Sequence, residues 1–256
     1  MLDKFHPKII TVENVSFSYA QHKVLKDITH SFVKGSLTAI IGPNGGGKST
    51  LLKLIMGILT PIQGNIHFST INRNNITYLP QLTEIDRQFP INVKDIVAMG
   101  LWQKNGVFHS FSKNDHLKIE QVLDHVGLVG FENRHVGALS GGQFQRVLFA
   151  RAMLQNADVF LLDEPFAAVD TATSEILMQL IRDWYSKGKT IIAVLHDYDI
   201  VKDFFPETVL IGRSIIASGN PHDVLTAEIL LKAHQTVENA LDHERIENII
   251  ESNMNA

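Results

Sequence analysis

Short apolar runs and helical apolar patterns alternate along most of this chain. The runs are strand-sized and rich in β-forming residues, whereas the helical patterns place apolar side chains three or four positions apart. The predicted strands are Ile9–Phe17, Val24–Val33, Ser36–Ile41, Asn65–Phe68, Asn75–Leu79, Val159–Leu162, Thr190–Leu195, Val209–Ile211 and Ser214–Ala217. The predicted helices are a segment that begins near Lys48, Val93–Met99, Leu117–Val126, Gly142–Leu154, Thr173–Ser186 and Ala227–His234. This alternation predicts an α/β fold, in which the first two strands form a hairpin through Ala20–Lys23.

The middle of the chain differs from its two ends. Residues 82–155 carry several helical patterns and few strand signals, while β/α alternation occupies residues 1–81 and 156–235. We therefore predict one domain of residues 1–235, made of an α/β core with an N-terminal antiparallel β subdomain and an inserted α-helical subdomain at 82–155. The polar segment 236–256 is predicted to be a C-terminal tail that is mobile or docked on a partner.

The composition narrows the class of protein. The 256 residues are 45% hydrophobic and carry a net charge of −4, so the basic surplus typical of a nucleic-acid binder is missing. The absence of cysteine excludes disulfides and Cys-ligated zinc, and it suits a reducing compartment. No run approaches the roughly 18 apolar residues of a membrane span, and the N-terminus lacks the apolar stretch of a secretory signal. These features together predict a soluble cytosolic protein.

A glycine-rich loop follows the third predicted strand. Residues 42–50 read GPNGGGKST and match the phosphate-binding pattern G-x-x-x-x-G-K-[ST]. The glycines expose successive backbone N–H groups, and the helix that starts near Lys48 adds its positive end. Lys48 is placed to reach the terminal phosphates of a nucleotide and Ser49 to hold Mg²⁺. The strand before the loop and the helix after it are the context that this motif requires.

Two acids follow the strand Val159–Leu162. Carboxyl ends of strands in open α/β sheets are where ligands bind, so Asp163 is a candidate Mg²⁺ ligand and Glu164 a candidate for orienting the attacking water. Adjacent side chains on a strand point to opposite faces. The two acids therefore converge only if the chain bends, and Pro165 indicates such a bend.

A second phosphate-binding device lies at Ser140–Gln143. Ser140 is a good helix N-cap, and the glycines Gly141 and Gly142 weaken the first helical turn. That cost is reasonable if the backbone must approach a ligand closely. An exposed helix N-terminus with a hydroxyl group and free amides binds anions, so one chain carries two such devices in separate regions.

With these motifs in place, the sequence resembles the ATP-binding subunit of ABC transporters along nearly its whole length. The resemblance rests on five motifs in order: residues 42–50, Gln81 in YLPQ, LSGGQ at 139–143, Asp163-Glu164, and His196 in VLHD. It implies a P-loop NTPase fold of the RecA-like ABC ATPase type. It also implies a head-to-tail dimer, in which each ATP lies between Gly42–Thr50 of one copy and Ser140–Gln143 of the other, with Asp170 in the loop that links the two sites.

The resemblance also assigns roles to single residues. Lys48, Gln81, Glu164 and His196 would be catalytic, with His196 sensing the γ-phosphate. Mg²⁺ would be held by Ser49, Gln81 and Asp163. The ATP contacts would be Tyr19, Gly42, Pro43, Asn44, Gly45, Gly46, Gly47, Lys48, Ser49 and Thr50, and in trans Ser140, Gly141, Gly142, Gln143 and Asp170. Tyr19 would stack on adenine, although a strand residue packed beside Phe17 is the alternative.

Two positions depart from the family pattern. Many relatives have Ser at the place of Ala167, so a hydroxyl contact across the dimer is in doubt. Gly46 stands where Ala or Ser is common, which should loosen the loop entropically without removing a donor.

The cargo is indicated by the segment after Gln81. Residues 89–100, FPINVKDIVAMG, lie in the region that faces the membrane subunits and resemble the subgroup that serves zinc and manganese uptake. Importers of siderophores, haem or cobalamin are the main alternative. The implied partners are a second copy, permease subunits and, indirectly, an extracytoplasmic metal-binding protein, with no nucleic acid. The missing span then places the chain on the cytoplasmic face of the membrane, held by the permease.

Two other readings are weaker. A soluble ABC ATPase acting on DNA or ribosomes usually has a long coiled coil or two cassettes, and this chain has neither. A regulator that does not hydrolyse ATP conflicts with the set Asp163, Glu164 and His196. The 12 histidines are scattered without convergent ligands, so we do not expect this subunit to bind the transported metal.

Overall fold

A computed structural model of the protein describes residues 7–20, 22–102, 111–167 and 169–254, with side chains described as far as residue 242. The strands are β1 (Lys8–Tyr19), β2 (His22–Val33), β3 (Leu37–Ile41), β4 (Gln63–Phe68), β5 (Ile76–Leu79), β6 (Val159–Asp163), β7 (Thr190–Val194), β8 (Glu207–Gly212) and β9 (Ser214–Gly219). The α-helices are α1 (Lys48–Met56), α2 (Val93–Ala98), α3 (Lys113–His125), α4 (Gly141–Gln155), α5 (Thr171–Ser186), α6 (Tyr198–Phe204), α7 (Pro221–Val224) and α8 (Ala227–Met254). Short 3-10 turns connect several of them. Contacts divide the chain into one unit of residues 1–73 and 194–256 and another of residues 74–193.

The first unit contains a three-stranded antiparallel sheet in the order β2-β1-β4. The predicted N-terminal hairpin is therefore confirmed, although position 21 in its connection lies outside the described residues. Val15 and Phe17 of β1 are buried opposite Ile28 and Leu25 of β2, which are buried as well. In the same unit β3 pairs in parallel with β8, and β8 turns back into β9 at Arg213, whose φ is +65°.

In its described residues, the second unit combines a parallel strand pair with four α-helices. β5 and β6 are parallel neighbours, so Leu79 lies opposite Leu162 and the two strands end at the same edge. The four apolar residues Val159–Leu162 of β6 are buried, as their continuous run predicts, and Asp163 at the end of the strand is buried as well. Trp184 of α5 stacks on Phe160 of β6 with 4.2 Å between ring centroids, and it also stacks on Phe149 of α4. This aromatic stack joins the strand to both helices.

The structure extends one predicted helix and adds two. The helix predicted over Ala227–His234 continues to Met254, and the prediction that it ends there is wrong because residues 235–254 contain neither Gly nor Pro to stop it. Residues 255–256 of the predicted tail lie outside the described residues. The short helices α6 and α7 were not predicted. Each begins at a side-chain cap, Asp197 and Asn220, rather than at a periodic apolar pattern.

Candidate active site

The glycine-rich loop between β3 and α1 folds around the ammonium group of Lys48. Nζ of Lys48 donates hydrogen bonds to the carbonyl oxygens of Gly42 at 2.9 Å and Pro43 at 3.0 Å. The side chain is nearly buried, while the adjacent Ser49 is half-buried and Thr50 is buried. The positive charge therefore lies inside the loop, beside the N-terminus of α1, where anionic oxygens are stabilised.

Two glycines of this loop are required by close approaches. Gly47 has a φ of +93°, and a Cβ atom there would overlap the side chain of Leu25. A Cβ atom at Gly46 would lie 2.8 Å from the carbonyl oxygen of Ile211 and 2.9 Å from that of Pro43. Gly46, where the family pattern commonly has Ala or Ser, therefore has a steric as well as an entropic effect. The backbone of β8 leaves no room for a side chain at this position.

The chain bends immediately after Asp163. Glu164 has a φ of +51°, in the left-handed region that non-glycine residues rarely adopt. The amide of Ala167 donates a 3.1 Å hydrogen bond to the carbonyl oxygen of Glu164 and closes the turn. The bend expected from Pro165 is therefore present, and it releases Glu164 from the strand alternation. Asp163 is fully buried, and its carboxylate accepts a 3.1 Å hydrogen bond from the hydroxyl group of Tyr78.

Gln81 and Glu164 meet at this edge. Because β5 and β6 are parallel and in register, Gln81 and Glu164 each follow a strand end on the same side. Nε2 of Gln81 donates a 2.6 Å hydrogen bond to Oε2 of Glu164. The sequence assigned both residues to catalysis, and the structure brings them into contact. An amide that holds the carboxylate in this way orients the oxygen atoms that would accept a proton from water.

The helix N-terminus at Ser140 is capped as predicted. Oγ of Ser140 accepts a 3.2 Å hydrogen bond from the amide of Gln143, and the side chain of Gln143 accepts a 3.0 Å bond from the amide of Ser140. This capping box keeps the first turn of α4 in place. A Cβ atom at Gly142 would lie 3.2 Å from Oγ1 of Thr173, so the small residue also lets α4 and α5 approach each other.

Asp170 caps the neighbouring helix α5. Its carboxylate accepts a 2.7 Å hydrogen bond from the amide of Thr173. The hydrogen bonds from the backbone and side chain of Thr173, together with the charge of Arg146, hold the pKa of the Asp170 carboxyl below its ordinary value. Thr173 therefore lies against both Gly142 and Asp170, which places two of the predicted trans-acting groups side by side.

The remaining predicted residues lie in the first unit. Tyr19 ends β1 and is 45% exposed, while its ring contacts Phe17 edge-on at 4.8 Å between centroids. Both interpretations of Tyr19 thus keep a physical basis, since one ring edge packs and much of the rest stays accessible. His196 is exposed and follows β7. The next residue, Asp197, caps α6 with hydrogen bonds from the amides of Asp199 and Ile200.

Two residues of the site were not found from the sequence. The role of Tyr78 was missed because an aromatic residue in a short strand is expected to pack. Gln145 is 1% exposed, and its Nε2 atom donates a 3.0 Å hydrogen bond to the carbonyl oxygen of Pro165, next to Glu164. A polar residue between the buried Phe144 and Val147 was the available signal for Gln145.

Each residue predicted to hold Mg²⁺ carries a suitable donor atom. The hydroxyl group of Ser49, the amide oxygen of Gln81 and the carboxylate of Asp163 are the hard oxygen ligands that Mg²⁺ prefers. Over the part of the chain that the structure describes, there is no group of three or more His, Cys, Asp or Glu side chains that could hold a metal ion.

Comparison with known proteins gives consistent matches. Residues 25–167 match a family model described as ABC transporter. The manganese transport system ATP-binding protein of Halalkalibacterium halodurans is 38% identical, over 89% of this chain and 92% of its own length. The zinc transport system ATP-binding protein of Treponema pallidum is 36% identical, over 88% of this chain and 86% of its own. The structure of an inward-facing transporter described as of the metal-chelate ABC type superposes with a TM-score of 0.78 at 32% identity, covering 90% of each chain.

Proposed function

This chain belongs to the ABC transporter family of ATP-binding proteins, and we propose that it is the ATPase subunit of an importer for zinc or manganese. Membership confirms the resemblance drawn from the five motifs and the P-loop α/β fold of an ABC ATPase cassette. The enzyme is an ATP hydrolase of the ABC type. The names of its relatives support the cargo, and the contact between Gln81 and Glu164 is the observation that supports the catalytic assignment.

The residues act mainly by positioning and charge. Lys48, already held inside its loop, neutralises charge that develops on the terminal phosphates. Glu164 orients and polarises the attacking water, and Gln81 fixes the rotamer of that carboxylate. Bound Mg²⁺ would supply further charge neutralisation, and Ser49, Gln81 and Asp163 are the residues that would hold it. Tyr78 keeps the carboxylate of Asp163 in a single orientation.

The nucleotide contacts complete the proposal. The backbone amides of residues 42–50 bind the phosphates, the exposed face of Tyr19 stacks on adenine, and His196 senses the γ-phosphate. The groups at Ser140–Gln143 and Asp170 act on the ATP of a second copy. The presence of two phosphate-binding devices in one chain supports a head-to-tail dimer. ATP binding closes this dimer and hydrolysis reopens it.

The dimer works on a membrane permease. Among the described residues, no helix has the length and apolarity to cross a bilayer. We place the chain at the cytoplasmic face of the membrane, bound to separate permease subunits through the region Gln81–Gly100, with an extracytoplasmic metal-binding protein delivering the cargo. Phe89 in that region is 62% exposed, which suits a protein contact.

Reconstitution tests the cargo directly. The subunit is purified with its permease and placed in vesicles with the ATPase facing inwards, where ATP is enclosed, and the delivery protein loaded with zinc or with manganese is added outside. We expect ATP-dependent accumulation of one of these ions. Transport of a siderophore, haem or cobalamin instead, with neither ion accumulated, would overturn the cargo assignment while leaving the ATPase assignment intact.

A further inference from the structure

The side chain of Arg87 points inwards, although its neighbours at 86 and 88–90 are exposed. Arg87 itself is half-buried. This stretch contains Phe89, the apolar side chain that we assigned to the permease contact. The side chain of Arg87 therefore connects that exposed surface with the interior of the second unit.

The guanidinium group of Arg87 lies at the start of α4. Nη2 of Arg87 donates a hydrogen bond to the carbonyl oxygen of Leu139, and Cζ lies 5.2 Å from the ring centroid of the fully buried Phe144. Leu139 directly precedes the cap residue Ser140. The bond thus fixes the peptide group between Leu139 and Ser140, on which the orientation of the Ser140 amide depends.

Helix stability alone does not explain this arrangement. A cation beside a helix N-terminus is disfavoured by the helix dipole. In addition, Nε of Arg87 is buried without a hydrogen-bond partner among the described residues, which is a further cost. The Leu139 carbonyl and the face of the Phe144 ring offset these costs. An arginine that is placed against two such costs, beside a turn that we assign to nucleotide contact, is a candidate for a functional role.

The backbone that follows Arg87, at residues 91–94, is held by other bonds. The amide of Val93 donates to the carbonyl of Arg134 at 3.0 Å, that of Lys94 to Glu132 at 3.0 Å, and that of Val136 to Ile91 at 3.1 Å. None of these bonds involves the side chain of Arg87. Replacing that side chain should therefore leave the frame folded and remove only the link to Leu139 and Phe144.

We infer that Arg87 is a positioning residue, which passes movement of the exposed Phe89 surface to the nucleotide-contacting turn Ser140–Gln143. This inference rests on the proposed function, because it needs that turn to act on the ATP of the second copy. Displacement of residues 86–90 by the permease shifts the guanidinium, and the Leu139–Ser140 peptide follows. Arg87 then adjusts how well one copy closes on the nucleotide of the other.

Mixed dimers test whether Arg87 acts on the ATP site of the other copy or on that of its own copy. In a Glu164→Gln background that blocks turnover, dimers carry Arg87→Met and Lys48→Ala either on opposite copies or on the same copy. If Arg87 acts through Ser140 on the other copy, opposite placement damages one ATP site and leaves one intact. Placement on one copy damages both. We expect one tightly bound ATP per dimer in the first case, and about tenfold weaker binding at the remaining site in the second.

A structural role predicts the reverse pattern. If Arg87→Met acts only within its own copy, opposite placement damages both sites, and that result or equal binding in the two dimers would overturn the inference. Arg134→Met is the matched control, because Arg134 also stacks on an aromatic ring, Phe131 at 3.9 Å, but is exposed and has no side-chain bond to Leu139. Arg87→Lys, which keeps a charged donor, should restore part of the lost binding. Failure of the parent dimer to bind two ATP molecules would instead contradict the proposed function.

Discussion

Gln81 and Glu164 are 83 positions apart in the chain, and their side chains are joined by a 2.6 Å hydrogen bond. Both follow parallel strands that end at the same edge, and Glu164 reaches Gln81 because its backbone leaves the strand in a left-handed conformation. The bond holds one carboxylate oxygen of Glu164 in place. It also connects the base to the first residue of the region that we assign to the permease.

Replacing Glu164 by Gln should abolish steady ATP hydrolysis and preserve ATP binding. The amide keeps the shape and can still bond to Gln81, but it cannot polarise water as a carboxylate does. We expect a loss of about 10²-fold or more in kcat, measured by phosphate release, with an unchanged Kd for ATP. Glu175→Gln, at an exposed position of α5, is the control. Normal turnover in the Glu164 variant would refute the assignment of the base.

Replacing Gln81 by Ala should lower kcat with little effect on ATP affinity. The carboxylate of Glu164 then loses the donor that fixes its rotamer, and we expect a decrease of roughly tenfold, comparable with the loss of one charge-assisted hydrogen bond. Steady-state kinetics and equilibrium ATP binding separate the two quantities. Gln88→Ala, in the exposed stretch nearby, should behave as the parent protein. Equal kcat values in the two variants would show that the contact has no catalytic weight.

Replacing Gln145 by Met should slow hydrolysis while leaving the protein almost as stable. The change removes the hydrogen bond to Pro165, but it also removes Oε1, which is buried without a hydrogen-bond partner among the described residues. The free energy of unfolding should therefore change by less than about 1 kcal/mol. The released Pro165 carbonyl loosens the turn that holds Glu164, so kcat should fall. Gln155→Met in the same helix is the control, and a large stability loss with unchanged kcat would contradict this view.

Replacing Gly46 by Ala should destabilise the protein and weaken ATP binding together. The new methyl group would force apart the carbonyl oxygens of Ile211 and Pro43, and overpacking of this kind costs about 1–3 kcal/mol. Pro43 also accepts a bond from the ammonium group of Lys48, so the strain reaches the phosphate-binding groups. Urea unfolding and ATP titration measure the two effects. If both stay at parental values, the loop is more adaptable than its packing indicates.

The Asp170 carboxyl makes stability depend on pH. Hydrogen bonds from Thr173 lower the pKa of this group in the folded state. Its stabilisation is therefore fully present above the ordinary pKa and is lost as the pH falls through the lowered folded-state pKa. The difference in unfolding free energy between the parent protein and Asp170→Asn, which keeps a capping side chain without charge, should shrink below about pH 4. Asp124→Asn serves as the control, and a difference that is constant with pH would exclude this linkage.

Much of the site can be predicted from local sequence, whereas hydrogen bonds between residues that are distant in the chain cannot. The cap at Ser140, the bend before Pro165 and the strand–loop–helix around Lys48 are each set by a few neighbouring residues, so the sequence predicts them. The bonds from Arg87 to Leu139 and from Gln145 to Pro165 span 52 and 20 positions. They depend on side-chain directions that no periodic pattern specifies. The continuation of α8 beyond His234 was missed for another reason. The segment is polar, and a polar segment gives only a weak helical signal.

The left-handed backbone of Glu164 creates a trade-off between ATP turnover and thermal stability. A glycine there would relieve a strain of about 1 kcal/mol, and it would remove the base at the same time. Libraries selected only for heat resistance should therefore accumulate Gly or Asn at this position and emerge inactive. Selection that also demands ATP hydrolysis should retain Glu164 and place its stabilising changes elsewhere.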